Sequence, residues 1–330
     1  KLGQVLPSSR PLVGELQVID IGIPPEVRER VQVDISGVDR HDHSAIRTCL
    51  QRLPDSHKGN YGHLSILGGS VGKTGAALLA AQGAIRSGCG LVTICAPSDL
   101  NTIYESALAE AMTTVVQSPH YLSIDDRGTI MRHLADKNCL VIGPGIGQED
   151  KTAQLVLDLY HHLSMPMVID ADALNIIARS RKHLSVPLGP RIFTPHPGEM
   201  ARLINSTTAQ VQADRLASVR TCFKQFKTPD SELIIVLKGS ATLTSDGNIV
   251  WLNQTGNSSM AAGGMGDVLS GLIGSLICQG MSPPEAARYG VYLHGWSGDR
   301  LHNQGGIGFS ASELADGLSP ILADVMDGKR

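Results

Sequence analysis

The feature that most limits what this chain can become is a repeated alternation. Short apolar runs stop at a glycine, a proline or a charged residue, and segments of helical character follow most of them. Such runs fall at 63–67, 91–96, 140–142, 166–169, 192–194 and 233–237. Near-continuous apolarity suits a strand buried on both faces, and strands alternating with helices build a parallel, doubly wound sheet. We therefore expect an α/β fold: a central, mostly parallel, doubly wound sheet with helices on both faces. Helices are predicted at about 76–87, 102–109, 149–162, 208–226, 282–302 and 310–326, and a hairpin around Asp246-Gly247-Asn248. In sheets of this kind ligands gather beyond the carboxyl ends of the strands, which is where this chain carries its glycine-rich and polar clusters.

The most informative cluster is 255–276. Ala261-Ala262-Gly263-Gly264-Met265-Gly266-Asp267 sets small residues before a carboxylate, and an apolar helical run follows at once. A glycine-rich turn entering a helix aims unpaired N–H groups and the positive end of the helix dipole at an anion, typically phosphate. A carboxylate beside bound negative charge is electrostatically awkward. That favours Asp267 as a base acting on a substrate hydroxyl, although aspartate is also a common helix cap. Lys238-Gly239-Ser240-Ala241-Thr242, after the run at 233–237, adds charge and hydroxyl donors for a nucleotide. In Pro195-His196-Pro197, two prolines pin one histidine at another strand's end. His294 and Trp296 read as packing residues.

Two motifs are weaker than they look. Gly68-Gly69-Ser70-Val71-Gly72-Lys73-Thr74 invites a P-loop, but Leu67 stands where that loop needs a glycine. What remains is a glycine-rich turn that approaches a ligand or another element closely. His41-Asp42-His43 lacks further ligands in register, so 24–51 reads as a solvated linker.

Composition narrows the function. The 330 residues suffice for one large domain or two modest ones. A 42% hydrophobic and 18% charged composition describes a globular chain rather than a disordered one. Aromatics at 4%, a net charge of −3 and the lack of a long basic block argue against nucleic acid. No apolar run approaches membrane-spanning length, so no membrane partner is expected. The six scattered cysteines, without a C-x-x-C pair, read as reduced thiols of a cytoplasmic protein.

Taken in order, these motifs resemble those of the ADP- or ATP-dependent NAD(P)H-hydrate dehydratases, a family with a ribokinase-like fold. The resemblance covers about 55–325. It rests on His57-Lys58-Gly59, Gly68-Gly69 to Ala76, Gly143-Pro144-Gly145 and Asp170-Ala171-Asp172-Ala173-Leu174, then on His196-Pro197-Gly198-Glu199, Lys238-Gly239-Ser240 and Ala262-Gly263-Gly264-Met265-Gly266-Asp267. It implies dehydration of (6S)-NADHX or NADPHX to NADH or NADPH, with ADP (or ATP) as co-substrate, ADP as phosphoryl donor giving AMP and phosphate, and Mg2+ as cofactor. Asp267 would be the catalytic base. Ala76, Gly145, His196, Pro197, Gly198, Glu199, Met200, Ala201, Arg202 and Asp267 would line the hydrate's side. Lys238, Gly239, Ser240, Ala241 and Thr242 would hold the nucleotide, together with Asn257, Ser258, Ser259, Met260, Ala261, Ala262, Gly263, Gly264, Met265 and Gly266.

The loop at 257–266 looks more like that of the ADP-using bacterial members, from which it departs in Ser258, Ser259 and Ala262. Residues 1–23, which contain a strand-like run at 15–23, resemble the last strand of an upstream epimerase domain. The expected layout is a remnant of that domain at 1–23, a linker at 24–54 and a dehydratase domain at 55–330. Expected partners are NADHX or NADPHX, ADP and AMP, a homo-oligomer and the upstream domain. The residues alone leave two other readings open: a kinase acting on a vitamin-like alcohol, and a non-catalytic nucleotide sensor.

Overall fold

The computed structural model describes residues 13, 14, 17, 19, 21, 22, 24, 35–37 and 43–328. The described strands are β1 (Ile35–Gly37), β2 (His63–Leu67), β3 (Leu91–Ala96), β4 (Met112–Val115), β5 (Cys139–Ile142), β6 (Met167–Ile169), β7 (Arg191–Phe193), β8 (Leu233–Leu237), β9 (Leu243–Ser245) and β10 (Val250–Leu252). They make one sheet in the order β1-β10-β9-β8-β7-β6-β5-β2-β3-β4. Neighbours are parallel except at β8–β9 and β9–β10. Those two antiparallel pairs include the expected hairpin.

Why the central strands are largely apolar follows from where alternate side chains go. Ile66, Val141, Ile234 and Val236 enter one buried layer, and Leu67, Leu140, Ile142, Leu233, Ile235 and Leu237 enter the other. Helices α1 (Ser44–Leu50), α2 (Thr74–Arg86), α3 (Asn101–Ala107), α10 (Met265–Cys278), α11 (Pro283–Gly305) and α12 (Ala311–Met326) cover the first layer. Helices α4 (Arg127–Leu134), α5 (Asp150–His162), α6 (Ala171–Ser180), α7 (Pro197–Leu203), α8 (Thr208–Ala213) and α9 (Arg215–Phe226) cover the second. Ala77, Ala80, Ala81 and Ala84 give α2 a small-residue face buried against α10.

The strand order reverses at β2: β3 and β4 follow on one side, while β5 to β8 run outward on the other. Such a reversal opens a crevice above the sheet, because the flanking connections depart to opposite sides. It also brings the segments after β2, β5, β6, β7 and β8 to one edge.

Several sequence expectations change here. The helix expected over 208–226 is two helices, because Asp214 leaves helical geometry and caps the second, accepting from the Ala217 N–H at 2.8 Å. The solvated reading of 24–51 does not hold for 43–50. Ile46 is fully buried and Leu50 nearly so. The buried His43 ring stacks 5.5 Å from Trp296, with its Nε2 3.1 Å from the Tyr292 hydroxyl. An isolated Ile and Leu in a polar stretch carry too little pattern to announce this helix. Strand β4 and helices α4 and α6 were not anticipated either. The expected strand at 15–23 lies mostly outside the described residues.

Candidate functional site

A cavity of about 520 Å³ opens at the strand-order reversal. Its walls include Lys73, Ala76 and Leu79 after β2, Gly145 after β5, Asp172 and Asn175 after β6, His196, Glu199 and Arg202 after β7, and Gly264 and Asp267 at the start of α10. Four strand ends and one helix N-terminus therefore meet around one space.

The α10 end is built to face an anion. Gly264 has φ +88, and a Cβ there would stand 2.5 Å from Leu79, so the turn requires glycine. No side chain caps this helix. Among the described residues, the N–H groups of Gly263 to Asp267 have no acceptor. Unpaired donors at a helix start, reinforced by the dipole, favour a bound phosphate or a developing oxyanion.

Beneath this turn lies a charge cluster. The Lys238 Nζ pairs with Asp170 at 2.7 Å, and the Ser270 hydroxyl donates to the other Asp170 oxygen at 2.7 Å. Burial works against the Lys238 charge, yet Asp170, Glu199 and Asp267 together hold its ammonium above the usual lysine range. Burial first, and then the Asp170 charge, push the Asp267 carboxyl up to about 7, against the pull of Lys238. Burial likewise raises Glu199 to about 7, with Lys238 opposing and Asp170 reinforcing. Glu199 also accepts the His196 N–H at 2.8 Å, closing a capping box at the start of α7. The His196 imidazole is lowered by burial and then by Lys238 and Arg202, so it is neutral near pH 7.

A carboxyl titrating near neutrality, in a cleft and beside unpaired N–H donors, has the protonation range of a general base and the surroundings of a phosphoryl-transfer site. Among the described residues no three His, Cys, Asp or Glu side chains converge to hold a metal. Among the described residues, then, protein donors form no cage for Mg2+, an ion commonly held through substrate phosphates and water.

Of the residues expected on the hydrate's side, Ala76, Gly145, His196, Glu199, Arg202 and Asp267 line the cavity. Met200 and Ala201 do not: both point into the core beneath α7, Met200 with no exposure. A helix that presents His196, Glu199 and Arg202 on one side must turn the residues between them away. Pro197 and Gly198 form the first helical turn outside the cavity lining. In the nucleotide set, Met265 is buried, so only its backbone can face a ligand. Ser258–Met260 is a short 3-10 turn after Asn257. Lys73, Leu79, Asp172 and Asn175 were not expected at the cavity. Lys73 pairs with Asp172 at 3.2 Å, and their place directly after a strand was the signal available.

The glycine turn after β2 approaches another element closely, as expected. The Gly69 N–H donates to the Pro144 carbonyl at 2.7 Å, and the Ser70 hydroxyl to that of Gly145 at 2.8 Å. A second cavity of about 560 Å³ lies beside the 255–264 loop, between Thr255, Trp296, Asp299 and Asp324. Asp299 on α11 accepts from the Gly256 N–H and the Asn257 side chain, each at 2.9 Å, and so anchors the start of that loop.

Comparison with known proteins bears on what this geometry serves. A family model described as NAD(P)H-hydrate dehydratase matches residues 64–320. The chain belongs to that family. The bifunctional NAD(P)H-hydrate repair enzyme Nnr of Moorella thermoacetica is 38% identical over 98% of this chain, which spans 61% of that protein's length. The ADP-dependent (S)-NAD(P)H-hydrate dehydratase of Neisseria meningitidis is 38% identical over 80% of this chain and 86% of its own. Among solved structures, the Bacillus subtilis ADP/ATP-dependent NAD(P)H-hydrate dehydratase, co-crystallised with ATP/Mg2+, superposes with a TM-score of 0.72 at 31% identity. The match covers 86% of this chain and 97% of that one. The fold is ribokinase-like, as the motifs implied. No described helix is long and apolar enough to cross a membrane.

Proposed function

We propose that this chain converts (6S)-NADHX and NADPHX to NADH and NADPH, consuming ADP and releasing AMP and phosphate. The observation that carries the reading is the position of Asp267. Its carboxyl lines the cavity shared with Ala76, Gly145 and His196, one residue beyond the donor-rich turn of α10 and close to Lys238.

Water is a poor leaving group, so the ring hydroxyl must first be made a better one. Asp267 takes the hydroxyl proton as the oxygen attacks the terminal phosphorus of ADP, and AMP departs. The N–H groups of Gly263 to Gly266 face the charge gathering on the moving phosphoryl group. The ring nitrogen's electron pair then expels phosphate, and loss of a proton from the adjacent ring carbon restores the double bond. The neutral His196 and Arg202 border the hydrate's side. Lys238 to Thr242 and Asn257 to Gly266 hold the nucleotide. Mg2+, carried by the nucleotide's phosphates, would supply further charge neutralisation.

The bifunctional relatives support an upstream epimerase partner for the full-length protein. The absence of a described membrane-spanning helix and the six free cysteines accord with action in the cytoplasm. The test is incubation with NADH hydrate and either ADP or ATP, following reduced-nicotinamide absorbance and inorganic phosphate together. Recovery of both signals with ADP is expected. A stable phosphoester without absorbance recovery would indicate a kinase, and neither signal with either nucleotide would refute the dehydratase reading.

A further inference from the structure

Arg215, a residue only 9% exposed, opens α9. A buried cation normally meets a carboxylate, because desolvation is costly without one. This one does not: its Nη1 donates to the Gln212 side-chain oxygen at 3.0 Å, and its Nη2 to the carbonyls of Leu237 at 2.9 Å and Lys238 at 3.2 Å. Its Nε is buried and has no partner. Burial alone lowers its ionisation, to about 10, with no opposing acid.

What the guanidinium does to the backbone is more informative. In a trans peptide the C=O and the following N–H point in opposite directions. Arg215 holds the Lys238 carbonyl, so the Gly239 N–H of the same peptide is turned away from it. Gly239 has φ +133, and a Cβ there would stand 3.1 Å from Nη1, so the guanidinium occupies the face a side chain would need. Ala241 is also left-handed, at φ +49. Among the described residues, the N–H groups of Gly239, Ser240 and Ala241 have no acceptor. Successive unpaired N–H groups in a turn of this kind form an anion-binding concavity.

We propose that Arg215 is a positioning residue for the nucleotide: it locks the Lys238–Gly239 peptide so that the turn's N–H groups face the phosphates, and it supplies the buried positive charge that those phosphates neutralise. The assignment rests on the nucleotide-dependent reading above. Arg215 acts through the backbone and leaves the hydrate's side of the cavity untouched.

The experiment compares Arg215→Met and Arg215→Lys with the parent protein, using ADP as probe. It measures KM for ADP, KM for NADH hydrate and the rise in Tm that ADP produces. Loss of one charge-assisted backbone contact corresponds to about a tenfold effect or more. Arg215→Met should raise KM for ADP at least about tenfold and abolish most of the ADP-induced Tm rise. KM for the hydrate should stay within about twofold, because no contact there is lost. Arg215→Lys should recover part of the affinity, since an ammonium keeps the charge but not the planar fork that grips two carbonyls. Should the methionine variant not fold, the lysine variant carries the test with an expected rise in KM for ADP of roughly threefold or more. Unchanged ADP affinity in the variants, or equal weakening toward both substrates, would overturn the inference alone. A parent protein that neither binds nor consumes ADP would overturn it together with the proposed function.

Discussion

Replacing Asp170 by asparagine should move the pH dependence of turnover downward. Asp170 stands at the end of β6, and its Oδ2 lies 3.9 Å from where a Cβ on Gly266 would be, one residue before Asp267. Its charge is the largest influence after burial on the Asp267 carboxyl, which sits at about 7. At a charge separation on the order of 6 Å and an effective dielectric of ~20, one unit charge contributes roughly 2–3 kcal/mol. That is about two pH units before screening by Lys238, and about one after it. Removing Asp170 also frees the Lys238 ammonium from its 2.7 Å partner, and both changes favour ionised Asp267. Because the base must be deprotonated, activity falls as pH drops through its pKa. The acid limb of log kcat/KM, measured with NADH hydrate and saturating ADP from about pH 4.5 to 9, should therefore shift from about 7 to about 6 or below. Asparagine can still accept from the Ser270 hydroxyl, and Tm measured in parallel separates a fold defect from an electrostatic one. An acid limb that stays in place or moves upward, in a variant of normal Tm, would refute the assignment of that limb to Asp267 within this charge cluster.

The remaining expectations concern the base itself and the loop it serves. Asp267→Asn should lower kcat by about 10² or more while ADP still raises Tm. The same variant should be more stable than the parent at pH 8, by ~1–2 kcal/mol, and closer to it at pH 5. The sign follows from the raised carboxyl: its favourable contribution is complete below the unfolded value and is lost as pH rises through about 7. A thermal scan at both pH values decides this, and a variant less stable at pH 8 would contradict it. Asp299→Ala removes both 2.9 Å contacts that anchor Gly256 and Asn257. It should raise KM for ADP roughly tenfold and change KM for the hydrate little. Steady-state kinetics with each substrate varied in turn would reveal the opposite pattern if the loop served the hydrate.

The sequence by itself determined the sheet and much of the donor apparatus. Runs such as Leu233–Leu237 are apolar at every position because both faces of the strand are buried, and that pattern is local, so it can be read without neighbours. Glycines at the start of α10 and an aspartate at its third residue are likewise local signals of an uncapped helix end. Tertiary structure decided what no window of sequence contains. Asp170, Lys238, Glu199 and Asp267 lie far apart along the chain and meet only because β6, β7 and β8 are neighbours beneath α10. Their shared charge, and with it the near-neutral range of Asp267, follows from that adjacency. Met200 and Ala201 look like site residues in a motif and prove to be core, because the rotation of α7 is set by the core it packs on. His43, the residue that precedes Ser44–Leu50, packs against Tyr292 and Trp296 on a helix some 250 residues away. Local pattern follows from the backbone's own periodicity, whereas charge coupling and burial depend on which distant segments the packed sheet brings together.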